Sequence, residues 1–72
     1  MDRKIRIKKI DTKQRKVVYT DEDEMDSEEA FYHPRVEETL KKALQEQWIV
    51  KAHFDDIEEI TKIHKAWKEI KI

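Results

Sequence analysis

The chain has 72 residues, of which 46% are charged and 38% hydrophobic, and its formal net charge is −1 at pH 7. This length allows one domain with a small core, because a domain of this size buries only roughly 60% of the surface that its unfolded chain exposes. The sequence contains no glycine and no cysteine, which excludes glycine-rich phosphate loops, disulfides, thiol nucleophiles and cysteine-ligated zinc.

The near-neutral total hides two segments of opposite charge. Residues 1–16 carry eight basic and two acidic side chains, a net charge of +6. Residues 17–31 carry seven acidic side chains and no basic one, a net charge of −7. Local charge of this kind, more than the total, decides which partners a surface attracts. We therefore expect either a basic surface that binds an anion or an acidic segment that lies across the basic one and neutralises it.

An N-terminal β-hairpin is predicted over residues 3–20. Ile5 and Ile7 alternate with basic residues, which is the two-residue period of a half-buried strand. The alternation breaks near Lys9, where we expect a bulge or the end of the strand. A second strand is predicted over residues 15–20. The intervening loop has no Gly or Asn, so a type I turn that begins at Asp11 is predicted in place of a two-residue turn.

A solvated acidic connection and a helix are predicted next. Seven carboxylates within residues 21–29 repel one another, which favours an exposed connection. Pro34 suits the first position of a helix, where its missing N–H is not needed. Val36, Leu40 and Leu44 follow at helical spacing, so a helix is predicted over residues 34–46.

The last third of the chain predicts a strand and a second helix. Residues 48–54 are rich in aromatic and β-branched side chains and predict a strand, with a continuation of the preceding helix as the alternative. Asp55, with Glu58 three residues later, is a helix-start signal. An apolar residue then recurs every three or four positions, which predicts a helix over residues 56–70.

These elements predict a single α+β domain over residues 1–72. The order is β-β-α-β-α, in which the hairpin and a third strand form a sheet and two helices cover one of its faces in a small two-layer structure. No apolar run is long enough to span a bilayer, and the N-terminal residues do not form a secretory signal. Together with the absence of cysteine, this leads us to expect a cytoplasmic protein.

The sequence offers little material for catalysis or metal binding. Ser27 is the only serine and lies in the acidic run, where no neighbouring base could activate it. The acidic run fails as a calcium loop, because the sixth position holds Asp26 where glycine is required. The histidines His33, His53 and His64 lack the spacing of a zinc site. We therefore predict no enzyme activity, no metal, no cofactor and no small-molecule substrate.

The leading hypothesis is a non-enzymatic protein-interaction module that binds a second copy of itself, as a homodimer, or another protein. Its interface is predicted at the apolar stripe of the last helix with the preceding tryptophan: Trp48, Ile57, Ile60, Ile63, Trp67 and Ile70. The alternative is a nucleic-acid-binding accessory protein that uses the basic hairpin residues Arg3, Lys4, Arg6, Lys8, Arg15 and Lys16. A third hypothesis is an acidic inhibitor, similar to a DNA mimic, that acts through residues 21–29.

Overall fold

The computed structural model describes residues 1–21 and 26–68. Its elements in chain order are β1 (Asp2–Asp11), β2 (Lys16–Asp21), β3 (Glu28–Phe31), a 3-10 turn (Pro34–Val36), α1 (Glu37–Glu46), β4 (Trp48–Phe54) and β5 (Ile60–Lys68). The five strands form one sheet in the order β3-β2-β1-β4-β5, and all neighbouring strands are antiparallel. β1 is therefore the central strand, paired with β2 on one side and with β4 on the other.

The hairpin and the first helix lie where the residue pattern placed them. The hairpin loop begins at Asp11, whose Oδ1 accepts hydrogen bonds from the backbone N–H groups of Lys13 (3.0 Å) and Gln14 (3.2 Å). The register of β1 against β2 shifts between Ile7 and Lys9, which is the expected bulge. Pro34 opens the 3-10 turn, and α1 continues from it to Glu46.

The predicted order β-β-α-β-α, with two helices on one face of the sheet, is wrong, because residues 56–70 do not form a helix. The described part of this segment is a turn followed by β5, which pairs with β4. Two register shifts leave Thr61 and His64 as extra residues in β5. Each bulge delays the alternation by one residue, so Ile60, Ile63 and Ala66 all contribute to the core at intervals of three. Ile60 and Ile63 belong to the apolar spacing that predicted a helix, whereas Ile57 is exposed and Trp67 is not part of the core cluster.

Asp55, which predicted the start of a helix, stabilises a tight turn in the structure. Asp55 Oδ1 accepts hydrogen bonds from the backbone N–H groups of Ile57 (3.0 Å) and Glu59 (2.8 Å), which is the local chemistry that makes Asp common in turns as well as at helix starts. Glu58 adopts a left-handed conformation with φ 60°. The chain thus reverses into β5 without a glycine, at a cost of about 1–2 kcal/mol for the left-handed residue.

The prediction of a solvated connection over residues 21–29 is wrong at its end, where β3 begins. Ala30 is buried and pairs with Val17 of β2. Glu29 forms an ion pair with Lys16, in which 2.8 Å separate Lys16 Nζ from Glu29 Oε2. The basic hairpin therefore supplies the countercharge that lets an acidic segment join the sheet. Residues 22–25 of the predicted connection lie outside the described residues.

The sheet curls until its two edge strands meet. Tyr32, just after β3, forms a parallel bridge with Ile60 at the start of β5, and the backbone N–H of His33 donates to the carbonyl of Ile60 (2.8 Å). The result is a curled five-stranded sheet with Greek-key strand order, closed at one point between its edges, which we call the barrel.

The core lies inside this barrel and is closed by α1. Ile5, Val17, Val50 and Ile60 are fully buried within the sheet, and Leu40 of α1 is fully buried against it. Among the described residues, no helix has the length and apolar character that a membrane span needs.

We expect the substitutions Ile60→Ala and Ile57→Ala to have very different effects on stability. Ile60 is 0% exposed and Ile57 is 79% exposed. Truncating a buried isoleucine costs about 2–5 kcal/mol, whereas an exposed truncation changes the free energy of unfolding by less than about 0.5 kcal/mol. Urea denaturation measures both values. Equal losses would contradict the placement of Ile60 in the barrel, because a single helix face would treat the two residues alike.

Candidate nucleic-acid interface

Arg3, a predicted nucleic-acid contact, forms ion pairs and a hydrogen bond at one end of the barrel. Its guanidinium lies 2.7 Å from Asp21 Oδ2 and 3.4 Å from Glu28 Oε2, and it donates to the Tyr19 hydroxyl at 3.2 Å. The same guanidinium lies 5.5 Å from the centre of the Phe54 ring. A cation that contacts two carboxylates and an aromatic face is not available to a phosphate, so we remove Arg3 from the candidate interface.

Tyr19 and Tyr32 each donate a hydrogen bond to a glutamate, and both have a raised pKa. Burial, together with the hydrogen bond that the Tyr19 hydroxyl donates to Glu28 (3.0 Å), raises the pKa of Tyr19 to about 12. Burial and a hydrogen bond from Tyr32 to Glu37 (2.8 Å) raise the pKa of Tyr32 to about 12. An ionised phenolate at either position would lose solvation and face a carboxylate.

The other basic residues of the hairpin differ in their contacts and in their exposure to solvent. Lys16 contacts Glu29 and lies 5.6 Å from the centre of the Phe31 ring. Arg15 occupies a left-handed position in the hairpin loop with φ 54°. Lys4 and Lys8 are exposed on β1, whereas Arg6, which lies between them, is half-buried and already has an interaction of its own.

Three lysines on neighbouring strands form a row across the outer face of the barrel. The register sets Lys4 of β1 opposite Lys51 of β4, and Lys51 opposite Lys65 of β5. All three are exposed, and adjacent strands lie only about 4.8 Å apart. We call these three residues the lysine row. Only Lys4 of the lysine row was among the predicted contacts. Lys51 and Lys65 were missed because the sequence does not show which residues of different strands lie opposite each other.

The lysine row lacks a countercharge within the described part of the chain. The ion pairs found there involve other residues, at the barrel end, along β3 and on α1, and the Asp2 carboxylate on the outer face contacts His53 and His64. Like charges directly opposite each other in a sheet are destabilising. The row therefore costs stability by itself, and an anion that bridges the three ammonium groups would relieve their repulsion.

An aromatic side chain lies beside the lysine row. Trp67 of β5 is half-buried, lines a surface depression together with the lysine row, and has the Nζ of Lys65 at 5.9 Å from its ring centre. Trp67 is paired with Ile49, which in turn is paired with Arg6. Arg6 and Trp67 thus form a second row, flanking a buried isoleucine. We call the lysine row together with Arg6 and Trp67 the basic face.

The structure does not gather the five described residues of the predicted protein interface on one surface. Ile60 is in the core, and Ile63 and Trp48 pack against it from partly buried positions. Ile57 is exposed in the turn before β5, and Trp67 belongs to the basic face. Ile70 lies outside the described residues. The acidic segment is likewise engaged in part, since Asp21, Glu28 and Glu29 contact Arg3 and Lys16.

Two of the three histidines meet on the outer face, which spacing along the chain does not reveal. His53 Nδ1 lies 2.8 Å from Asp2 Oδ1, and His64 Nε2 lies 3.3 Å from the same oxygen. His33 is elsewhere, where its Nδ1 accepts a hydrogen bond from the backbone N–H of Arg35 (3.1 Å). The separation of 51 residues between Asp2 and His53 explains why a search for local ligand spacing misses this group.

Comparison of the chain with protein-family models, with curated proteins and with solved structures finds no match. Its function must therefore be argued from its own geometry.

We expect both tyrosines to ionise far above their ordinary range. The chain has only two tyrosines, so absorbance at the tyrosinate band reports on Tyr19 and Tyr32 alone. In the folded protein half-ionisation is expected near pH 12 for each, against about 10 in denaturant. Because the folded state holds these protons more tightly, stability must fall as pH rises from about 10 to 12. Half-ionisation near pH 10 without unfolding would contradict the burial of the two hydroxyls.

Proposed function

We propose that this protein binds single-stranded nucleic acid through the basic face. The observation that carries the proposal is the lysine row, three exposed ammonium groups aligned across three strands with Trp67 beside them. Proteins that bind single strands without sequence preference combine a positively charged track for the backbone with aromatic side chains on which bases stack. The basic face supplies both features on a rigid sheet.

The two parts of the basic face have different roles in this mechanism. The lysine row neutralises phosphates and releases their counterions, which supplies affinity that does not depend on sequence and that weakens with salt. Trp67 offers a ring surface to one base, and the ammonium of Lys65 next to the ring adds a positive charge where base and phosphate meet. Phosphate contacts carry no sequence information directly, so binding through the lysine row is expected to tolerate many sequences.

The barrel architecture supports this proposal only by analogy. Partly open five-stranded barrels of this kind bind oligonucleotides on the face of strands 2 and 3 and on the adjoining loops. Here the basic face lies on β1, β4 and β5, whereas β2 and β3 carry mixed charge, as the contact between Lys16 and Glu29 shows. The proposal therefore rests on the charge and register of the basic face, and not on the architecture.

Removing the lysine row should weaken binding and flatten its salt dependence. The triple variant Lys4→Gln, Lys51→Gln and Lys65→Gln is titrated against a fluorescein-labelled single-stranded oligonucleotide by anisotropy, over a series of salt concentrations. Each lost phosphate contact reduces the slope of log affinity against log salt by about 0.7, so three contacts reduce it by about 2.

The matched control for this experiment removes three lysines elsewhere: Lys13→Gln, Lys41→Gln and Lys42→Gln. It makes the same change in net charge on the hairpin loop and α1, where all three residues are exposed. Affinity and slope should stay near those of the unchanged protein. Equal losses in the two triple variants, or no binding by the unchanged protein at low salt, would refute the proposal.

Substitution of Trp67 tests the stacking role separately. Trp67→Leu should weaken binding by about 1–3 kcal/mol, the range measured when a stacking ring is removed. Trp67→Phe keeps an aromatic surface and should retain most of the affinity. The salt slope should stay unchanged in both variants, because neither alters a charge. If leucine and phenylalanine weaken binding equally, the ring does not stack on a base.

Self-association, predicted from the apolar residues of the last segment, is the second candidate. The structure supports it with one observation: beyond the bridge at Ile60, none of the described strands pairs with the outer edge of β5. Lys62, Lys65 and Lys68 on this strand oppose edge pairing of two copies, since edge lysines repel one another. Sedimentation velocity over a concentration series distinguishes the candidates, because a dimer through β5 grows with concentration in the absence of nucleic acid.

A further inference from the structure

We infer that Asp2, His53 and His64 form a binding site for a transition-metal ion, with zinc as the representative ligand. Imidazole nitrogens and one carboxylate oxygen are the donors that such ions prefer. The ligand atoms of the three residues all lie within 4.8 Å of one another. The inference is independent of nucleic-acid binding, because none of the three residues belongs to the basic face.

The sheet itself brings the three donors together. Asp2 begins β1 and is paired with His53 near the end of β4. His64 is the extra residue of a bulge in β5, between Ile63 and Lys65. A regular strand would turn alternate residues inward, whereas the bulge lets His64 and Lys65 both reach the outer face. The donors thus come from three neighbouring strands whose positions are held by backbone pairing.

The two distances that Asp2 Oδ1 makes to the imidazole nitrogens are close to those between ligands of a coordinated ion. Bonds of about 2.0–2.1 Å at tetrahedral angles separate neighbouring ligand atoms by roughly 3.3 Å. The 3.3 Å between His64 Nε2 and Asp2 Oδ1 has this value, and the 2.8 Å between His53 Nδ1 and the same oxygen must open by roughly 0.5 Å. Three side chains would leave a fourth position for water or an added ligand.

The surroundings select for ions that bind imidazole. Lys62 is paired with His53, and the lysine row lies on the same face. This positive field disfavours Ca²⁺ and Mg²⁺, which rely on several anionic oxygen ligands. Zinc and its neighbours in the first transition series form stronger bonds to neutral nitrogen donors, so the two histidines can hold them beside lysines.

The test is a titration of zinc chloride into the protein without a polyhistidine tag, followed by competition with a zinc-chelating dye. We expect one zinc ion per chain. His53→Gln and His64→Gln should each weaken binding by at least about tenfold, since even partners outside the coordination shell contribute about 10–100-fold. In NMR spectra, zinc should shift the ring signals of His53 and His64 and leave those of His33 in place.

Two variants serve as matched controls. His33→Asn removes the remaining histidine while keeping an acceptor for the backbone N–H of Arg35, and it should leave zinc affinity unchanged. The Lys4, Lys51 and Lys65 triple variant should bind zinc at least as tightly as the unchanged protein, even if it no longer binds nucleic acid. The inference is overturned if no saturable zinc uptake occurs, or if uptake is the same in His53→Gln, His64→Gln and His33→Asn.

Discussion

The fold depends on the place where the two edge strands meet. Tyr32 and His33 reach Ile60 through a parallel bridge and a 2.8 Å backbone hydrogen bond, and this contact converts an open sheet into a barrel. An open sheet of five short strands would need a second layer to bury one face. Closure buries that face against itself, so a single helix of ten residues is enough to cover the remaining opening.

Closure of the barrel also determines which charged side chains can bind a partner. Once the inward positions of each strand are apolar, the charged side chains must lie outside or at the barrel ends. Arg3 shares its face of β1 with Ile5 and therefore reaches the barrel end, where it contacts Asp21 and Glu28. Lys4, its neighbour, points outward and joins the lysine row. Arg3 and Lys4 are adjacent in β1 but point to opposite faces of the sheet. Arg3 therefore stabilises the fold, whereas Lys4 can bind an anion.

The bulges in β5 connect the fold to both candidate sites. The extra residue His64 lets Lys65 reach the lysine row and places an imidazole beside Asp2. The bulged register of β5 sets the inward residues Ile60 and Ile63 three positions apart, which contributed to the helical spacing in the sequence, whereas Ile57 in the turn and Trp67 on the outer face extended that spacing. A feature that misled the prediction of secondary structure is therefore the one that assembles the outer surface, as is common for bulges near functional sites.

The residue pattern alone was enough for the local elements whose signals are continuous along the chain: the alternating hairpin with its Asp11 turn and the helix after Pro34. For residues 48–54 it favoured a strand but left a continued helix open, and the folded chain forms the strand β4 there. The sequence also determined that the hairpin is basic and the following segment acidic. The strands β3 and β5 are recognisable only in the folded chain, because the groups that hold them lie elsewhere in the sequence. For β3 these are the register with β2 and the ion pairs from Arg3 and Lys16, and for β5 the bulged register with β4. Only the tertiary structure aligned Lys4 with Lys51 and Lys65, and Asp2 with His53 and His64, since register across a sheet is set by long-range pairing and closure that no local pattern encodes.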